Sequence, residues 1–564
     1  MLDPTDHSHT SRPAVSRICN LLTEGKDSYE SDQVLVAELL AVAPWLPDSM
    51  KINQSHRPKA VLTLAQLEIE QFIDLGCGYP SITRGGRYVP AHTFDVAHSV
   101  HPLPRVLYVD DDPYVFAHAK MALDEAPGTC AVLADIRDVP GLLASADVYE
   151  HLDLTQPVGV LLNGGLSWMT DAAARKVLQD LWDLLPAGSA VAVTHVTSDD
   201  DPAAMAALAE LYERAGIVFR PRSLDEIQEL LGPWALLPPG IAPVARWRRD
   251  DPPHVPGHLG PAWTRPPNEQ YSHAYAAVTA PKPSGPAPPT VAGILAREPA
   301  RGPGQLLVGA SLTALREHRG LPVQQLAAKE AKSPLAISLW EAGSRVADNL
   351  WFFRSLIPAG HDLTGALKEL LPGKDFPDRH DQVTDTYPGN GSRAAAVLRA
   401  ATAVRAVVLS RLPESLQTPE YAALLPAGSL TGALPGLMPP VPAPCPQDTT
   451  ATWDLVLDQA VLHRHCGNPR VLAAQLDHVL SLAALHHVTV RVLPLDAPLT
   501  MPVTDIVEHT LPGGTLWRTD GFRYTGREQY RALINQAVGH AAPPEKSLAL
   551  IRQARDRLHA HAMN

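Results

Sequence analysis

Cysteine is scarce in this 564-residue sequence, and long apolar runs are absent. The five cysteines are scattered and form no CxxC pair, which argues against a zinc ribbon and against a disulfide framework. No apolar run is long enough to cross a membrane, and the first residues lack the basic and apolar regions of a secretory signal. We therefore expect a globular, cytoplasmic protein with no membrane partner.

Basic residues are few in the first half of the chain. Residues 1–280 contain 20 Lys and Arg against 36 Asp and Glu, a net charge of −16, and the remaining residues carry a net charge of about +3. A strongly acidic segment is poorly suited to bind a polyanion over a large surface. The first half is therefore expected to act on a small or weakly charged molecule.

Two stretches rich in proline, glycine or polar residues divide the chain. Residues 281–304 are predicted to form a semi-extended linker, and residues 372–391 a turn-rich break. Residues 305–372 show a wholly helical pattern, whereas residues 393–564 mix helical and strand patterns. The sequence thus predicts an α/β domain over residues 1–280, followed by an all-α domain and an α+β domain.

Short apolar runs alternate with helical patterns in the first segment. Four runs are predicted to be buried strands: 72–75, 106–109, 158–162 and 190–193. Amphipathic helices are predicted around 113–125, 171–185 and 202–215. This alternation predicts a parallel sheet with helices on both faces, which is the Rossmann-like α/β class.

The first predicted strand runs into a glycine turn, Asp74-Leu75-Gly76-Cys77-Gly78-Tyr79-Pro80. Glycine permits a positive φ and a close approach of the backbone to a ligand, and in a doubly wound sheet this turn lies at the ligand-binding edge. Asp74, Gly76, Gly78 and Pro80 are therefore candidate cofactor-binding residues. Ser81 stands where a dinucleotide fingerprint has its third glycine, so a dinucleotide enzyme is disfavoured.

Acidic residues follow the next two strands. Asp110 and Asp111 come after the second strand, where a carboxylate can accept hydrogen bonds from both hydroxyls of a ribose. Asp135 and Ile136 come after the third strand, where a carboxylate can meet an adenine amino group. Together the three elements favour a site for S-adenosylmethionine (SAM); the alternative is an ordinary Rossmann turn with no preference for SAM.

Residues 1–280 resemble an actinobacterial family of SAM-dependent methyltransferase-like proteins. The stretches that carry the resemblance are Pro13–Ile18, Gly25–Tyr29, Asp32, Asp74–Pro80, Tyr108–Pro113, Asp135–Asp138, Pro239–Gly240 and Trp247–Asp250. The resemblance implies a class I methyltransferase fold with SAM as its cofactor. It also implies that the Gly25–Tyr29 segment folds over the cofactor pocket, which adds Lys26 and Asp27 to the cofactor-binding residues.

The sequence departs from this family on the substrate side. Asn53-Gln54 stands where the family has Asn-Arg, and Leu166-Ser167-Trp168 stands where it has Leu-His-Phe. An insertion over residues 84–90 lengthens the path from the glycine turn to the second strand. These departures leave the identity of the methyl acceptor open.

Three residues are candidates for catalysis on the acceptor side. His195, after the fifth strand, is a candidate general base, and Tyr29 and Ser167 are expected to face the acceptor. The alternative for His195 is a hydrogen-bonded histidine at a strand end. Trp168 is interpreted either as part of the core or as a stacking surface for an aromatic acceptor.

The motifs of DNA methyltransferases are missing from the sequence. After the fourth strand, Asn163-Gly164-Gly165-Leu166 stands in place of an Asp/Asn-Pro-Pro-aromatic motif, and the Pro-Cys nucleophile of cytosine C5 enzymes is absent. The expected acceptor is therefore a small molecule, of the kind made in specialised metabolism.

Residues 309–343 resemble an Xre-type helix-turn-helix domain. Its core spacing is carried by Leu312, Leu315, Leu326, Ala327, Ile337 and Trp340. Leu335 and Ala336 occupy positions where a recognition helix carries polar side chains, and residues 305–372 contain only 7 Lys and Arg against 6 Asp and Glu. DNA binding and a degenerate scaffold or dimerisation module both stay open, and the second is favoured.

Residues 393–564 resemble the regulator-associated domain that commonly follows such helix-turn-helix modules. The matching stretches are Leu416–Ala422, Val456–Leu462, Gln475–Pro494 and Pro544–Leu548. The histidines at 463, 465, 478, 486 and 487 lack the carboxylate spacing of a metal site, so no metal is expected. We expect the two rear domains to act as scaffold or regulatory modules and to form a homo-oligomer, a dimer.

The sequence therefore favours a SAM-dependent methyltransferase that acts on a small molecule. The alternative is a transcription regulator that senses SAM or a metabolite through its first domain, and a third possibility is an interaction protein that has lost both activities. The intact glycine turn and Asp110 favour the enzyme, whereas the apolar recognition helix counts against the regulator.

Overall fold

A computed structural model of the chain divides into two units. It describes residues 11–80, 92–124, 126–248, 255, 267–346, 356, 363–371, 381–424, 443–464, 468–498, 504–519 and 522–563. The first unit comprises Met1–Pro289 and Ala327–Ala336, and the second comprises Thr290–Leu326 and Ile337–Asn564. The insertion over residues 84–90, the pair Arg249-Asp250 and His465 lie outside the described residues.

Helices and strands alternate along the first unit. Its helices are α1 Val15–Leu22, α2 Glu30–Val42, α3 Leu46–Ala65, α4 Thr93–His98, α5 Pro113–Ala122, α6 Val139–Leu143, α7 Ala146–His151, α8 Asp171–Leu184, α9 Pro202–Arg214 and α10 Leu224–Leu231. Its strands are β1 Gln71–Leu75, β2 Arg105–Asp110, β3 Thr129–Leu133, β4 Gly159–Asn163, β5 Ala190–Val196, β6 Ala242–Pro243 and β7 Ala274–Val278. The four predicted strands and the three predicted helices are confirmed.

The first sheet has the strand order β3-β2-β1-β4-β5-β7-β6. Strands β1 to β5 are parallel, whereas β7 is antiparallel to β5 and β6 is antiparallel to β7. The prediction of a parallel sheet is therefore wrong at this end, and the sheet is mixed. Antiparallel strands need no helical crossover, so no alternation of strand and helix patterns marked β6 and β7 in the sequence.

Alternate residues of the central strands point into two separate cores. Ile73 and Val160 pack with α8 and α10 on one face, and Phe72 and Leu161 pack with α3 and α5 on the other. Burial of one such side chain stabilises the fold by about 1.5–3 kcal/mol. Because both faces are covered, polar groups for ligand binding are left to the carboxyl edge of the sheet.

Several helices of the first unit begin at a polar side chain that caps them. Asp112 accepts a hydrogen bond from the backbone N–H of Tyr114 at the start of α5. Thr170 and Asp201 accept the corresponding bonds at the starts of α8 and α9. Such caps stabilise a helix by about 1 kcal/mol each, and they fix where the chain turns from strand end to helix.

The predicted linker is anchored on the first unit over its first part. Lys282 is buried, and its Nζ donates to the carbonyl of Leu185 at 2.8 Å. A Cβ added to Gly285 would lie 2.5 Å from the backbone nitrogen of Ala187, so the chain runs close against its neighbour there. Composition predicts a semi-extended linker here, and it does not indicate these tertiary contacts.

The second part of the chain continues with helices and a second sheet. Its helices are α11 Val291–Leu295, α12 Pro303–His318, α13 Val323–Lys329, α14 Pro334–Glu341, α15 Leu363–Glu369, α16 Asn390–Ala400, α17 Pro419–Ala423, α18 Pro469–Leu482, α19 Gln529–His540 and α20 Pro544–Met563. Its strands are β8 Gln382–Thr384, β9 Ala403–Val408, β10 Thr452–Asp458, β11 Val488–Leu493, β12 Ile506–Leu511, β13 Gly514–Thr519 and β14 Arg523–Thr525. Helix α11 lies in the predicted linker and β8 in the predicted break, so neither stretch is wholly irregular.

The second sheet has the strand order β11-β10-β9-β12-β13-β14-β8. Strands β9, β10 and β11 are parallel, and the pairs from β9 through β12, β13 and β14 to β8 are antiparallel. The predicted strand at residues 488–493 is confirmed as β11. This part of the chain thus contains a mixed sheet and helices, while its assignment as a separate α+β domain stays a prediction.

The turn between α13 and α14 belongs to the first unit. The backbone N–H of Ser333 donates to the carbonyl of Glu150 at 3.1 Å, and Arg105 donates to the carbonyl of Lys332 at 2.8 Å. Nζ of Lys332 lies 2.8 Å from Nε2 of His151. Helices α12 to α14 follow the predicted helical pattern, while their assignment as a helix-turn-helix stays a prediction.

Histidines of the second unit are engaged in local contacts. His486 and His487 meet edge to face at 4.9 Å, and Nε2 of His487 lies 2.9 Å from the carbonyl of Pro446. Within the part of the chain that the structure describes, no group of His, Cys, Asp and Glu is arranged to hold a metal ion. In the same part, no helix is long and apolar enough to cross a membrane.

Candidate cofactor and acceptor site

The glycine turn lies at the carboxyl end of β1, near the middle of the first sheet. The backbone N–H groups of Gly76 and Cys77 donate to the carbonyl of Val109 on β2, at 2.9 and 3.1 Å. Gly76 and Gly78 have φ values of 79° and 68°, which residues other than glycine rarely adopt. Pro80 is buried directly after the turn. The predicted turn is thus in the predicted place, tied to the next strand.

Asp110 joins the glycine turn to the end of β2. Its carboxylate accepts the backbone N–H groups of Gly78 at 3.0 Å and of Asp112 at 3.1 Å, and the residue is only 7% exposed. Burial raises the pKa of Asp110 to about 6, against the lowering effect of these two N–H donors. At neutral pH Asp110 is therefore an ionised, buried acceptor, as a ribose site requires.

Polar side chains near the ends of β1 and β4 have buried atoms without hydrogen-bond partners. Counted over the described residues, these atoms are Oδ1 of Asp74, Nε of Arg57, Oδ1 of Asn53 and both amide atoms of Asn163. The other oxygen of Asp74 accepts from Oγ1 of Thr93 at 2.6 Å and lies 3.9 Å from Nε of Arg57. An unsatisfied buried polar atom costs about 1–3 kcal/mol, so this edge suits a polar ligand that supplies the partners.

The predicted cofactor SAM fits these groups. Its amino-acid end carries an ammonium and a carboxylate, which match the unpartnered oxygen of Asp74 and the guanidinium of Arg57. Its ribose hydroxyls match the carboxylate of Asp110. Gly78 and Gly164 both have positive φ, and a Cβ added to either would meet no described atom within 4 Å. Among the described residues, no atom therefore lies close to the Cβ position of Gly78 after β1 or of Gly164 after β4.

The residues predicted for the adenine side lie beside the glycine turn. A Cβ added to Gly76 would lie 3.7 Å from Cδ1 of Ile136, so this side chain covers the turn. Arg137 binds both oxygens of Asp135, at 2.8 and 2.9 Å, and lowers the pKa of that carboxyl. Burial raises the pKa of Asp111, and the nearby charge of Asp135 adds to this effect. The structure thus brings Asp111, Asp135 and Ile136 together near Gly76.

The Gly25–Tyr29 segment lies against the end of β2. Tyr29 meets Tyr114 edge to face, with ring centroids 6.3 Å apart, and the guanidinium of Arg17 lies 5.0 Å from the Tyr29 ring. Oγ of Ser16 donates to Asp112 at 2.5 Å. These contacts place the segment near the predicted ribose site, which agrees with the family resemblance.

Lys26 and Asp27 are exposed within that segment. Burial, the charge of Asp112 and the charge of Asp27 all raise the pKa of Tyr79 in the glycine turn. Asp27 therefore lies within electrostatic reach of the turn. The cofactor-binding roles of Lys26 and Asp27 stay predictions.

His195 and Ser167 lie together and are both buried. Nδ1 of His195 donates to the carbonyl of Val196 at 2.7 Å, and Nε2 accepts from Nη1 of Arg222 at 2.6 Å. Burial lowers the pKa of His195 to about 4, and Arg222 adds to this lowering. Oγ of Ser167 lies 3.4 Å from Nδ1 and accepts the N–H of Val196 at 3.1 Å. Both ring nitrogens are thus engaged, which favours the hydrogen-bonded histidine over the general base.

Arg222 is the buried hydrogen-bond partner of His195 that the sequence did not indicate. It is 2% exposed, binds Asp171 at 2.9 Å and donates to the carbonyls of Leu166 and Met169 at 3.0 Å each. No local pattern marks it, because it reaches His195 from a loop 27 residues further along the chain. Arg222 comes next to the end of β5 only when its segment pairs with Thr197.

Trp168 belongs to the core. Its ring packs against Tyr212 at 5.1 Å and against Phe219 at 4.9 Å. The second interpretation, a stacking surface for an acceptor, has no support in these contacts.

Comparison with protein families agrees with this geometry. Residues 3–281 match the model of a family described as S-adenosyl methyltransferase. Residues 443–553 match a domain of unknown function (DUF5753). No curated protein matches the chain.

Solved structures similar to this chain cover its first half. A candidate methyltransferase from Thermobifida fusca YX is 29% identical, with 50% of this chain and 100% of that chain covered and a TM-score of 0.42. A duf574 family protein from Streptomyces avermitilis MA-4680 is 27% identical, with 49% and 99% covered and a TM-score of 0.41. The N-methyltransferase NodS from Bradyrhizobium japonicum WM9, crystallised with S-adenosyl-L-homocysteine, is 13% identical, with 44% and 97% covered and a TM-score of 0.25.

The family match and the site geometry lead to one conclusion about the first part of the chain. The glycine turn, Asp110 and the unpartnered groups around Asp74 all lie within residues 3–281. Residues 3–281 therefore belong to the S-adenosyl methyltransferase family, and this part of the chain is a SAM-dependent methyltransferase.

Proposed function

We propose that the first unit transfers the methyl group of SAM to a small-molecule acceptor. The observation that carries this proposal is the set of buried, unpartnered polar atoms on Asp74, Arg57 and Asn163 at the strand ends, beside a glycine turn where a Cβ added to Gly78 would meet no described atom within 4 Å. Bound SAM supplies a methyl group on a positively charged sulfur, which makes that carbon open to attack by a nucleophile.

Each group of residues has a distinct part in holding the cofactor. Asp110 would accept the ribose hydroxyls, and Asp111 and Asp135 would lie toward the adenine amino group. Asp74 and Arg57 would bind the ammonium and the carboxylate at the other end. Fixing both ends positions the methyl group, and positioning is the main source of rate for an in-line displacement.

Charge and sequence support a small acceptor. Residues 1–280 carry a net charge of −16, which disfavours a nucleic acid. At the end of β4, Asn163 is followed by two glycines instead of the motif that DNA amino-methyltransferases use to hold a flipped base. A small acceptor held beside Asn163 fits both observations.

The rear segments are proposed to serve as scaffold or regulatory modules, including a dimer contact. Lys332 and Ser333, at the start of α14, belong to the first unit, are 7% and 0% exposed, and contact residues 149–151 within that unit. Ala336 and Leu339 of α14 are both fully buried. A recognition helix needs accessible polar groups at its N-terminal end, so these contacts support a scaffold role rather than DNA reading.

Transfer of a tritium-labelled methyl group tests the proposal. The full chain is incubated with labelled SAM and an actinobacterial cell extract, and the label is followed into small-molecule, protein and nucleic-acid fractions. We expect the wild type to transfer label to the small-molecule fraction and Asp110→Ala to transfer none. Asp138→Ala is the control and should transfer label like the wild type, because the Asp138 carboxylate only caps α6. Label confined to protein or nucleic acid, or no transfer at all, would contradict the proposal.

A further inference from the structure

The cofactor leaves one stretch of the sheet edge for the acceptor. Its predicted contacts lie at the ends of β1, β2 and β3, with the amino-acid end at Asp74 toward β4. The next strands along the edge are β4, β5 and β7, each about 4.8 Å from its neighbour. An acceptor that meets the methyl group must therefore lie along the ends of β4 and β5 and the beginning of β7.

His273 lies on this stretch, just before β7. Its carbonyl accepts the backbone N–H of Thr197, at the end of β5, at 3.0 Å. The preceding carbonyl, of Ser272, accepts from Oγ of Ser49 on α3 at 3.0 Å. His273 has a φ of 41°, a left-handed conformation that residues with a β-carbon rarely adopt. Two hydrogen bonds thus hold a strained residue at the acceptor end of the edge.

The ring of His273 is buried but its nitrogens are unused. The residue is 7% exposed, and in the part of the chain that the structure describes neither Nδ1 nor Nε2 has a hydrogen-bond partner. One face stacks on Trp45, with centroids 3.8 Å apart and planes 27° apart. Nδ1 lies 3.8 Å from Oδ2 of Asp200. This differs from His195, whose two nitrogens are both engaged.

Burial also keeps the His273 ring neutral. It lowers the pKa of His273, although the charges of Asp200 and Asp201 raise it in part. Asp200 lies beyond hydrogen-bond distance of Nδ1, but its nearby charge favours the neutral tautomer with the proton on Nδ1, which leaves the lone pair of Nε2 available to accept a proton. The same arrangement of carboxylate, imidazole and reacting hydroxyl serves general-base catalysis in many enzymes.

We propose that His273, oriented by Asp200, is the general base for a hydroxyl acceptor held at the ends of β4 and β5. This assignment rests on the proposed methyl transfer. The acceptor hydroxyl gives its proton to Nε2 of His273 while its oxygen forms a bond to the methyl carbon. The carbon–sulfur bond breaks with its electron pair on sulfur, leaving neutral S-adenosylhomocysteine and an imidazolium that returns its proton to water.

The chemistry of the base narrows the acceptor to a phenol. An aryl amine and a carboxylate already carry a free lone pair at neutral pH and need no base before attack, whereas a phenol has a pKa of about 10 and gains from one. An aliphatic hydroxyl is a much weaker acid than a phenol, so a phenol is the hydroxyl acceptor that an imidazole activates most readily. Asp199, Asp200 and Asp201 follow β5 and disfavour an anionic acceptor. A neutral phenol, small enough to lie beside Trp45, fits these groups.

Binding of simple probes to the complex with S-adenosylhomocysteine tests this proposal without turnover. Phenol, catechol, aniline and benzoate are titrated calorimetrically into wild type, His273→Asn and Asp200→Asn. Asparagine tolerates a left-handed φ better than most residues, so His273→Asn is expected to fold. His509→Asn is the matched control, because His509 is also buried with two unpartnered ring nitrogens but lies on β12 of the second unit.

We expect phenol and catechol to bind wild type and His509→Asn equally, and to bind His273→Asn at least tenfold more weakly. Asp200→Asn should weaken binding by a smaller factor, and aniline and benzoate should not respond to His273. For a phenol that the wild type methylates, kcat should be about 10²–10⁴-fold lower in His273→Asn than in the wild type. Equal phenol binding by His273→Asn, or no phenol binding to a chain that does bind S-adenosylhomocysteine, would overturn the assignment. Failure to bind S-adenosylhomocysteine would instead refute the proposed methyl transfer.

Discussion

Asp110 is the residue whose ionisation should control cofactor affinity. Its pKa is raised to about 6 by burial, and ribose hydroxyls donate more strongly to the ionised form. We expect the affinity for S-adenosylhomocysteine to be constant above pH 7 and to fall about tenfold per pH unit below pH 6. Calorimetric titrations between pH 5 and 8 measure this, and Asp110→Asn should bind weakly with no such dependence. A wild-type affinity that stays flat down to pH 5 would contradict the assignment.

His195 should make the first unit sensitive to acid. Its ring is neutral in the fold with a pKa of about 4, whereas an exposed histidine titrates near 6.5. Between these values the unfolded chain takes up a proton that the folded chain does not, so the free energy of unfolding falls as the pH falls. We expect His195→Gln to reduce this dependence between pH 6.5 and 4, measured by urea denaturation, and the exposed His98→Gln to leave it unchanged.

Residue-level prediction from sequence succeeded where function depends on local geometry. The turn from Asp74 to Pro80 and the position of Asp110 follow from strand ends that are visible as apolar runs. Arg57 and His273 escaped notice because each is brought to the sheet edge from another part of the chain. His195 was expected after the fifth strand but lies within β5, one residue before its end, and its partners could not be known before β5 was paired.

The glycine turn is the element on which cofactor binding most depends. Gly78→Ala forces a side chain into left-handed backbone, at a cost of about 1–2 kcal/mol, and fills open space where the cofactor is expected. Gly216 after α9 has a similar φ of 76° and similarly open surroundings, away from the turn. We expect both variants to lose similar stability, and only Gly78→Ala to bind SAM at least tenfold more weakly. Equal SAM affinities for the two variants would show that the turn is not at the site.

A buried ion pair joins β8 to α16 in the second unit. Arg393 and Asp385 are both 0% exposed at their side chains, and two guanidinium nitrogens lie 2.7 Å from the two carboxylate oxygens. Removing one partner leaves a buried charge, so Arg393→Ala should lower the free energy of unfolding by about 3–5 kcal/mol. Arg175→Ala, which breaks an exposed pair with Glu229, should cost no more than about 1 kcal/mol. Chemical denaturation followed by tryptophan fluorescence compares the two; similar losses would contradict a structural role for the buried pair.

Elements buried on both faces were the easiest to predict. β1, β2, β4 and β5 are continuous apolar runs because helices cover both sides of the sheet. β8 was missed because its three residues lie in a polar stretch and only the central one, Val383, is buried. A short edge strand forms because it pairs with a neighbouring strand, here β14. The composition of the segment does not indicate that partner.

For the whole molecule, domain boundaries drawn from composition agree only in part with the contacts. The end of the first unit at Pro289 lies within the predicted linker, but the unit also takes in Ala327–Ala336. Long-range contacts of Lys332 and Ser333 account for this. Domain boundaries that are inferred from proline- and glycine-rich stretches alone do not take such long-range contacts into account.

The first unit of this chain is expected to bind SAM at the carboxyl edge of its sheet, and the proposed methyl transfer and acceptor site both depend on this binding. Calorimetric titration of SAM and S-adenosylhomocysteine into the full chain, into Asp110→Ala and into Asp138→Ala tests it most directly. We predict one site per chain, lost or strongly weakened in Asp110→Ala and unchanged in Asp138→Ala. No binding of either ligand to the wild type, or equal binding by the two variants, would contradict the account.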